Sequence, residues 1–269
     1  MSFSPGAFGA RRIVCLTEEF TEILYLLGED QRIVGISGFT VRPPRARKEK
    51  PKVSAFTSAK IDKILELKPD LVLGFSDLQA DIAAQLIRAG VTVAIFNQRS
   101  VADIYDTIYR TGALVGAAQK AETLIAQLQD GVEQVRVAAQ DFPRRPRVFF
   151  EEWPEPSISA IRWVSELITI AGGEDCFAEL SLAPDARSRI IADPQEIVRR
   201  APDIIIGSWC GRKFSAEQVR QRPGWENVPA VRHQQLFEIK SPDILQPGPA
   251  ALTDGLRQLH AIIAAWVQG

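Results

Sequence analysis

The sequence predicts an α/β protein of two Rossmann-like lobes with parallel sheets, joined by one long rigid helix, with a ligand cleft between the lobes. Three observations carry this reading. Short runs of buried-type β-branched residues alternate with amphipathic helical stretches, the pattern of a parallel sheet covered by helices. One local grammar is written twice, and a proline-free helical stretch separates the two copies.

The repeated grammar lies in IDKILELKPDLVLGF (61–75) and PQEIVRRAPDIIIGSW (194–209). Each is a short amphipathic helix, a Pro-Asp stop, an apolar strand, a glycine and an aromatic. Pro69-Asp70 matches Pro202-Asp203 at an offset of 133, and Gly74 matches Gly207 at the same offset. The residue before a proline disfavours helix, so each helix must end there. The apolar run that follows reads as a strand buried on both faces. A second pair of motifs keeps nearly the same spacing: RIVCLTEE from Arg12 and RVFFEEW from Arg147, 135 residues apart, are strands entering acidic loops. Each is followed by a helix, TEILYLLG and RWVSELITIAGG. Two motifs in order at almost one offset indicate two similar lobes, 1–112 and 143–269.

Between them, residues 101–140 carry apolar side chains at Leu124, Ile125, Leu128, Val132 and Val135, a helical period. Alanine and glutamine favour helix, no proline intervenes before Pro143, and the stretch is read as one bridging helix. Within the lobes ADIAAQLIRAG then VTVAIFN, and SAEQVRQRP then QLFEIK, read as helix followed by strand. LTDGLRQLHAIIAAW reads as the final helix. Ligand chemistry in such folds sits on loops leaving the carboxyl ends of the strands. These are 17–20, 38–44, 74–79, 151–159, 208–214 and 241–249.

Composition excludes several function classes. Of 269 residues, 32 are Lys or Arg and 33 Asp or Glu, a net charge of −1, so no basic excess points to nucleic acid. No apolar run reaches the roughly 18 residues that a membrane span needs. Cys15, Cys176 and Cys210 form no CxxC, and two histidines, His233 and His260, cannot build a multi-histidine metal site. GxSxG, P-loop and GxGxxG motifs are absent. The reading is therefore a binding protein rather than an enzyme, with no resident cofactor or metal. The N-terminus lacks a basic region followed by an apolar core, which as written places the chain in the cytoplasm.

Aromatics collect on the strand-end loops: Phe39, Phe56, Phe75, Trp153 and Trp209, with Trp163 opening the next helix. Flat, rigid rings suit a bulky planar ligand, although each could instead plug a sheet end. Charged neighbours are Glu18, Glu19, Arg42, Glu151, Glu152, Arg162 and Arg212. The run RPPRARKEK (42–50) reads as a solvated, extended loop. His260 reads as helix packing, and His233 is a weak candidate axial ligand. Cys210, beside a basic loop, is a weak candidate nucleophile.

These residues resemble the helical-backbone (class III) substrate-binding proteins of ABC importers, which capture cobalamin, iron-siderophores and haem. The resemblance covers nearly the whole chain. RIVCLTEEFTEILYLLG, VGISGFTVRPP, VSAFTSAKIDKILELKPDLVLGF and LIRAGVTVAIFN follow in the family's order. The loop wording is most similar to the cobalamin-binding periplasmic members, with departures: Arg42 and Ile95 stand where aromatics are usual, and Phe56 and Phe75 replace larger rings. The resemblance implies capture of a corrinoid or related metal-chelate by Glu19, Phe39, Arg42, Phe56, Phe75, Glu152, Trp153, Trp163, Trp209 and Arg212. It implies a monomer that docks on an ABC permease through Asp81 and Glu217, and a periplasmic location if a leader precedes the chain. Two alternatives stand beside this: an iron-siderophore or haem binder in which Arg42, Arg162 and Arg212 meet ligand charge, and a cytosolic corrinoid-handling protein or enzyme using Cys210.

Overall fold

A computed structural model describes residues 9–269; residues 1–8, on which part of the leader reading rests, lie outside the described residues. In chain order the strands are β1 (Ile13–Cys15), β2 (Ile33–Ser37), β3 (Lys52–Ser54), β4 (Leu71–Phe75), β5 (Val93–Phe96), β6 (Arg147–Pro154), β7 (Ser157–Ser159), β8 (Glu174–Asp175), β9 (Ile204–Gly207) and β10 (Leu236–Glu238). The helices are α1 (Glu18–Leu26), α2 (Ala46–Glu49), α3 (Ile61–Glu66), α4 (Ala80–Arg88), α5 (Val101–Leu114), α6 (Ala118–Gln140) and α7 (Arg162–Ile170). They continue with α8 (Ala178–Ser181), α9 (Gln195–Arg200), α10 (Ala216–Arg220), α11 (Pro229–Arg232), α12 (Ser241–Ile244) and α13 (Leu256–Gln268). The chain divides into two compact units, one ending at Gln98 but including Ala102–Leu128, the other Arg99–Val101 with Gln129–Gly269.

The first unit holds a five-stranded sheet in the order β3-β2-β1-β4-β5, with every neighbouring pair parallel. β1 and β4 are buried at every residue, which is why both read as unbroken apolar runs. From β1 the chain first builds outward through β2 and β3, then returns to the other side of β1 for β4 and β5. The loops after β1 and β4 therefore leave in opposite senses, the switch point where open α/β sheets place ligands. The second unit holds β10-β9-β6-β7, with β8 also pairing β6. Pairings of β6 with β8 and β9, and of β9 with β10, are parallel. Segment 151–159, expected as a loop, is instead a hairpin: β6 runs on to Pro154 and turns back antiparallel as β7, with Trp153 opposite Ile158. The core beneath it gathers Phe149, Phe177, Trp209, Phe214 and Trp225.

The repeated Pro-Asp has a mechanical use. Asp70 accepts hydrogen bonds from the backbone N–H groups of Arg11 (2.8 Å) and Arg12 (2.9 Å), and its own N–H donates to the Arg12 carbonyl at 2.9 Å. Asp203 accepts from the Arg147 N–H at 2.8 Å and donates back to the Arg147 carbonyl at 2.8 Å. Each aspartate thus clamps the start of the neighbouring central strand, β1 or β6, and fixes its register with β4 or β9. The residues before the two prolines, Lys68 (φ 48) and Ala201 (φ 45), both take the left-handed turn that ends the helix. The grammar is duplicated because the joint is duplicated.

The glycines at the ends of β4 and β9 also answer to one need, closeness of a covering side chain. A Cβ on Gly74 would lie 2.4 Å from the Gln79 amide oxygen, and one on Gly207 would lie 2.0 Å from the Phe214 ring. Residues 101–140, expected as one helix, form two. α5 ends before Gly116, which turns with φ 72, and Gly112 lets the next helix approach so closely that a Cβ there would sit 2.5 Å from the Ala121 methyl. The long helix is α6, 23 residues or about 35 Å, and it contributes to both units. No helix among the described residues is long and apolar enough to cross a membrane.

Candidate binding rim

In the first unit the strand ends bring three predicted loops, 17–20, 38–44 and 74–79, to one edge of the sheet, with the turn after β3 that carries Phe56 beside them. After β1, Thr17 precedes α1 but gives its hydroxyl to Glu19 (Oγ1 to Oε1, 2.7 Å) instead of capping the backbone. Glu18 and Glu19 occupy the first turn of α1, 8% and 1% exposed. Burial, reinforced for Glu18 by the neighbouring Glu19 carboxyl, pushes the Glu18 carboxyl up to about 8. Burial likewise raises Glu19 to about 7, against the opposing hydrogen bond from Thr17.

The loop after β2 lies over these acids and is pinned from several sides. The Val41 backbone N–H faces the Glu18 carboxylate, Arg42 Nε donates to Glu22 Oε1 at 2.9 Å, and Gly38 N–H donates to the Ser54 carbonyl at 2.7 Å. Arg47 donates to the carbonyls of Gly38 (2.8 Å) and Thr40 (3.1 Å). The run 42–50, expected as a solvated extended loop, therefore coils into α2: buried Ala46 anchors it and Arg47 bonds backbone. The pinned loop holds Phe39 and Val41 outward, 56% and 37% exposed.

Gln79 ties the next two loops together. Fully buried, it accepts from the Phe75 N–H at 3.0 Å and donates to the Phe56 carbonyl at 2.9 Å. The Phe56 and Phe75 rings meet at 6.4 Å between centroids, Phe75 buried and Phe56 half-exposed. Leu78, on the same turn, is 59% exposed. A groove of about 690 Å³ runs separately along the free side of β5 and α5, past Ile95, Asp106 and Arg110, and touches the loop cluster only at Asn97 and Gln98.

The second unit treats its aromatics differently. Trp209 is 2% exposed, its indole N–H donating to Glu151 Oε2 at 3.0 Å and its ring meeting Phe214 at 5.0 Å. Glu151 is fully buried and also accepts from Arg222 (2.7 and 2.9 Å) and Ser157 Oγ (2.8 Å). Trp163 is equally buried, with its N–H on the Ile244 carbonyl at 2.9 Å. Trp153 is half-exposed at the hairpin, its N–H on the Glu155 carbonyl at 2.9 Å. Glu152 pairs with the buried Arg189 at 2.7 Å. Arg212 is exposed, donating to Gln218 at 3.0 Å and lying 5.4 Å from the Trp209 ring centre. Arg162 pairs with Glu166 at 2.9 Å.

Cys210 is exposed just past β9, whereas burial pushes the Cys15 and Cys176 thiols up to about 12. His260 stacks on Phe142 and faces the Ala171 carbonyl, and His233 lies exposed ahead of β10, at the amino edge of its sheet. Asp81 is exposed in the first turn of α4. Glu217, exposed in α10, pairs with Arg220 at 2.9 Å, which with Gln221 holds its carboxyl below the ordinary range. Gln79, Glu22, Arg47, Arg189 and Arg222 were not singled out from sequence. Glu22, Arg189 and Arg222 act through side chains 20, 37 and 71 residues away, and Gln79 and Arg47 through backbone groups, so no local side-chain pattern marks them.

Residues 13–242 match the periplasmic binding protein family, so the chain belongs to that family of binding proteins. A relative described as an uncharacterized ABC transporter substrate-binding lipoprotein, YvrC of Bacillus subtilis, is 27% identical over 258 residues, 93% of this chain and 78% of the relative. A vitamin B12-binding protein of Vibrio parahaemolyticus is 24% identical over 256 residues, 94% of this chain and 86% of its own length. Among solved structures, the periplasmic heme-binding protein RhuT from Roseiflexus sp. RS-1 superposes with a TM-score of 0.80 at 25% identity, covering 95% of this chain and all of that one. Membership sets aside the alternative of an enzyme acting through Cys210, and the family's members carry ligands as cargo rather than as cofactors. The cytoplasmic location read from the N-terminus finds no support in these relatives, which are described as a lipoprotein and a periplasmic protein.

Proposed function

We propose that this protein captures a bulky corrinoid, cobalamin-like, for ABC-type import, using the carboxyl-edge loops of its sheets. The observation that carries this reading is the outward display of Phe39, Val41 and Leu78, with partly buried Phe56 beside them, on loops pinned from beneath. Exposed apolar side chains held rigid lose little freedom on binding, so a flat ligand face gains their contact area at low ordering cost. Phe39, Phe56 and Trp153 are the contact rings. Phe75, Trp163 and Trp209 stand behind them as packing that sets loop shape, with Glu19, Arg42, Glu152 and Arg212 as polar neighbours. Asp81 and Glu217, exposed acids on separate units, are the contacts for a permease, and the protein works on the outer side of the membrane.

An iron-siderophore or haem binder is the second reading, favoured by the likeness to RhuT. Against an anionic chelate, Arg42, Arg162 and Arg212 each already bond a carboxylate or amide of this chain. Titration of cyanocobalamin, cobinamide and haem by calorimetry and absorbance tests both. Corrinoid binding that weakens at least about tenfold in Phe39→Ala, with no loss of thermal stability, is expected. Failure of every tetrapyrrole to bind below ~100 µM, an affinity near −5.5 kcal/mol, refutes the corrinoid reading.

A further inference from the structure

The first turn of a helix favours negative charge, since its free N–H groups carry the positive end of the helix dipole. Here the chain has filled that place with its own acids. Glu18 and Glu19 sit in the first turn and Glu22 one turn on, all at most 8% exposed. Glu19 Oε2 has no hydrogen-bonding partner among the described residues. The charged and polar groups facing these acids come from the elements around them: Cys15 on β1, Arg42 and Arg47 after β2, and the Gln98 amide after β5. Arg42 is engaged by Glu22 and Arg47 by backbone carbonyls. The acids lie directly beneath the loop that displays Phe39.

We propose that Glu18 and Glu19 set the charge preference of the bound molecule, so that this rim accepts an uncharged, amide-edged ligand freely but a carboxylate-bearing one only together with a proton. The inference rests on the reading that the Phe39 rim binds a ligand. A ligand carboxylate brought near two buried acids raises the cost of their ionisation, because like charges in a poorly solvated site repel strongly. The acids answer by taking up protons. The raised affinity of Glu18 and Glu19 for protons brings this exchange into the neutral range.

Matched probes differing only in charge test the proposal: cyanocobalamin against a cobalamin monocarboxylic acid, and haem dimethyl ester against haem. Titrations of the full chain run from pH 6 to pH 9, where the probes' own carboxylates stay ionised. In the wild type, the acid form of the bound pair should lose about tenfold in affinity relative to the neutral form as pH rises. Calorimetry in buffers of different ionisation enthalpy should show proton uptake with the acid form alone. The Glu18→Gln/Glu19→Gln variant should lose both the pH dependence of the acid-to-neutral affinity ratio and the proton uptake. Equal affinity of acid and neutral forms across this range, or a preference that survives in the variant, overturns the proposal while leaving ligand capture intact. Binding of neither member of either pair overturns the ligand reading, and this inference with it.

Discussion

Replacing Glu151 with alanine removes the acceptor at the centre of the second unit. Four donor contacts end on this fully buried carboxylate: two from Arg222, one from the Trp209 indole and one from the Ser157 hydroxyl. Arg222 keeps 16% exposure, so water can partly rescue its charge, whereas Trp209 at 2% has no such route. Breaking a buried ion pair from one side costs about 3–5 kcal/mol, and the lower half of that range applies to an arginine that retains some water. An orphaned indole N–H adds about 1 kcal/mol, for a total near 4 kcal/mol. With roughly 140 residues in the second unit, an unfolding entropy of about 0.3 kcal/mol/K makes that a fall of about 13 °C. Scanning calorimetry of the full chain should show the loss, and tryptophan emission should shift red as Trp209 loses its partner. Glu151→Gln, which can still accept from the indole, should lose about half as much. The double variant Glu151→Leu/Arg222→Met should recover most of the stability, because no charge is then left unpaired. A fall below 2 °C for Glu151→Ala, or no recovery in the double variant, would refute this account of the network.

The strand-end glycines should resist a single methyl group: Gly207→Ala drives a Cβ into the Phe214 ring and should cost about 2 kcal/mol by thermal unfolding, with Gly74→Ala costing less because the Gln79 amide is a flexible end. Asp70→Ala and Asp203→Ala should each cost about 1 kcal/mol and speed hydrogen exchange at the Arg12 and Arg147 amides respectively, since each removes a charge-assisted bond to that N–H. Glu18 and Glu19 bind protons more tightly folded, at about 8 and 7, than unfolded near 4.5. The folded state therefore holds the extra protons between those values, and stability must fall as pH rises from about 4.5 through 8. Urea unfolding should find the first unit more stable at pH 5 than at pH 8.5 by several kcal/mol, about 1.4 kcal/mol for each pH unit over which one acid keeps its extra proton, and Glu18→Gln/Glu19→Gln should flatten that slope; an unchanged slope in the variant would contradict the assignment.

What was legible in the sequence is what local chemistry dictates. The Pro-Asp stops, the runs that became β1, β4, β6 and β9, and the helices around them follow from periodicity and backbone restriction, and they appear where expected. The break between α5 and α6 was not foreseen, because helical periodicity continues through it. The cause is a turn at Gly116 and the fit of Gly112 against Ala121, a contact between helices rather than within one. The 151–159 hairpin was missed for a similar reason: Trp153 opposite Ile158 is a pairing that only the folded chain creates. Arg42–Glu22 and Arg222–Glu151 are equally invisible, since 20 and 71 residues separate the partners.

The two strand-end aromatics show why a sequence repeat does not guarantee an equivalent site. Phe75 and Trp209 follow Gly74 and Gly207 at almost matching positions, and each glycine admits a side chain over the strand end. Over Gly74 that side chain is an amide. Gln79 spends both ends on backbone, fastening the Phe56 and Phe75 loops together while adding no ring to the cluster. Over Gly207 it is the Phe214 ring, which packs on Trp209 and draws the indole down onto buried Glu151. Phe75 and Trp209 are both buried, but the first packs beside partly buried Phe56 and exposed Leu78, and the second packs on Phe214 and a buried carboxylate. The duplicated joints hold both sheets alike, whereas the identity of the side chain covering the glycine sets what the strand-end aromatic packs against.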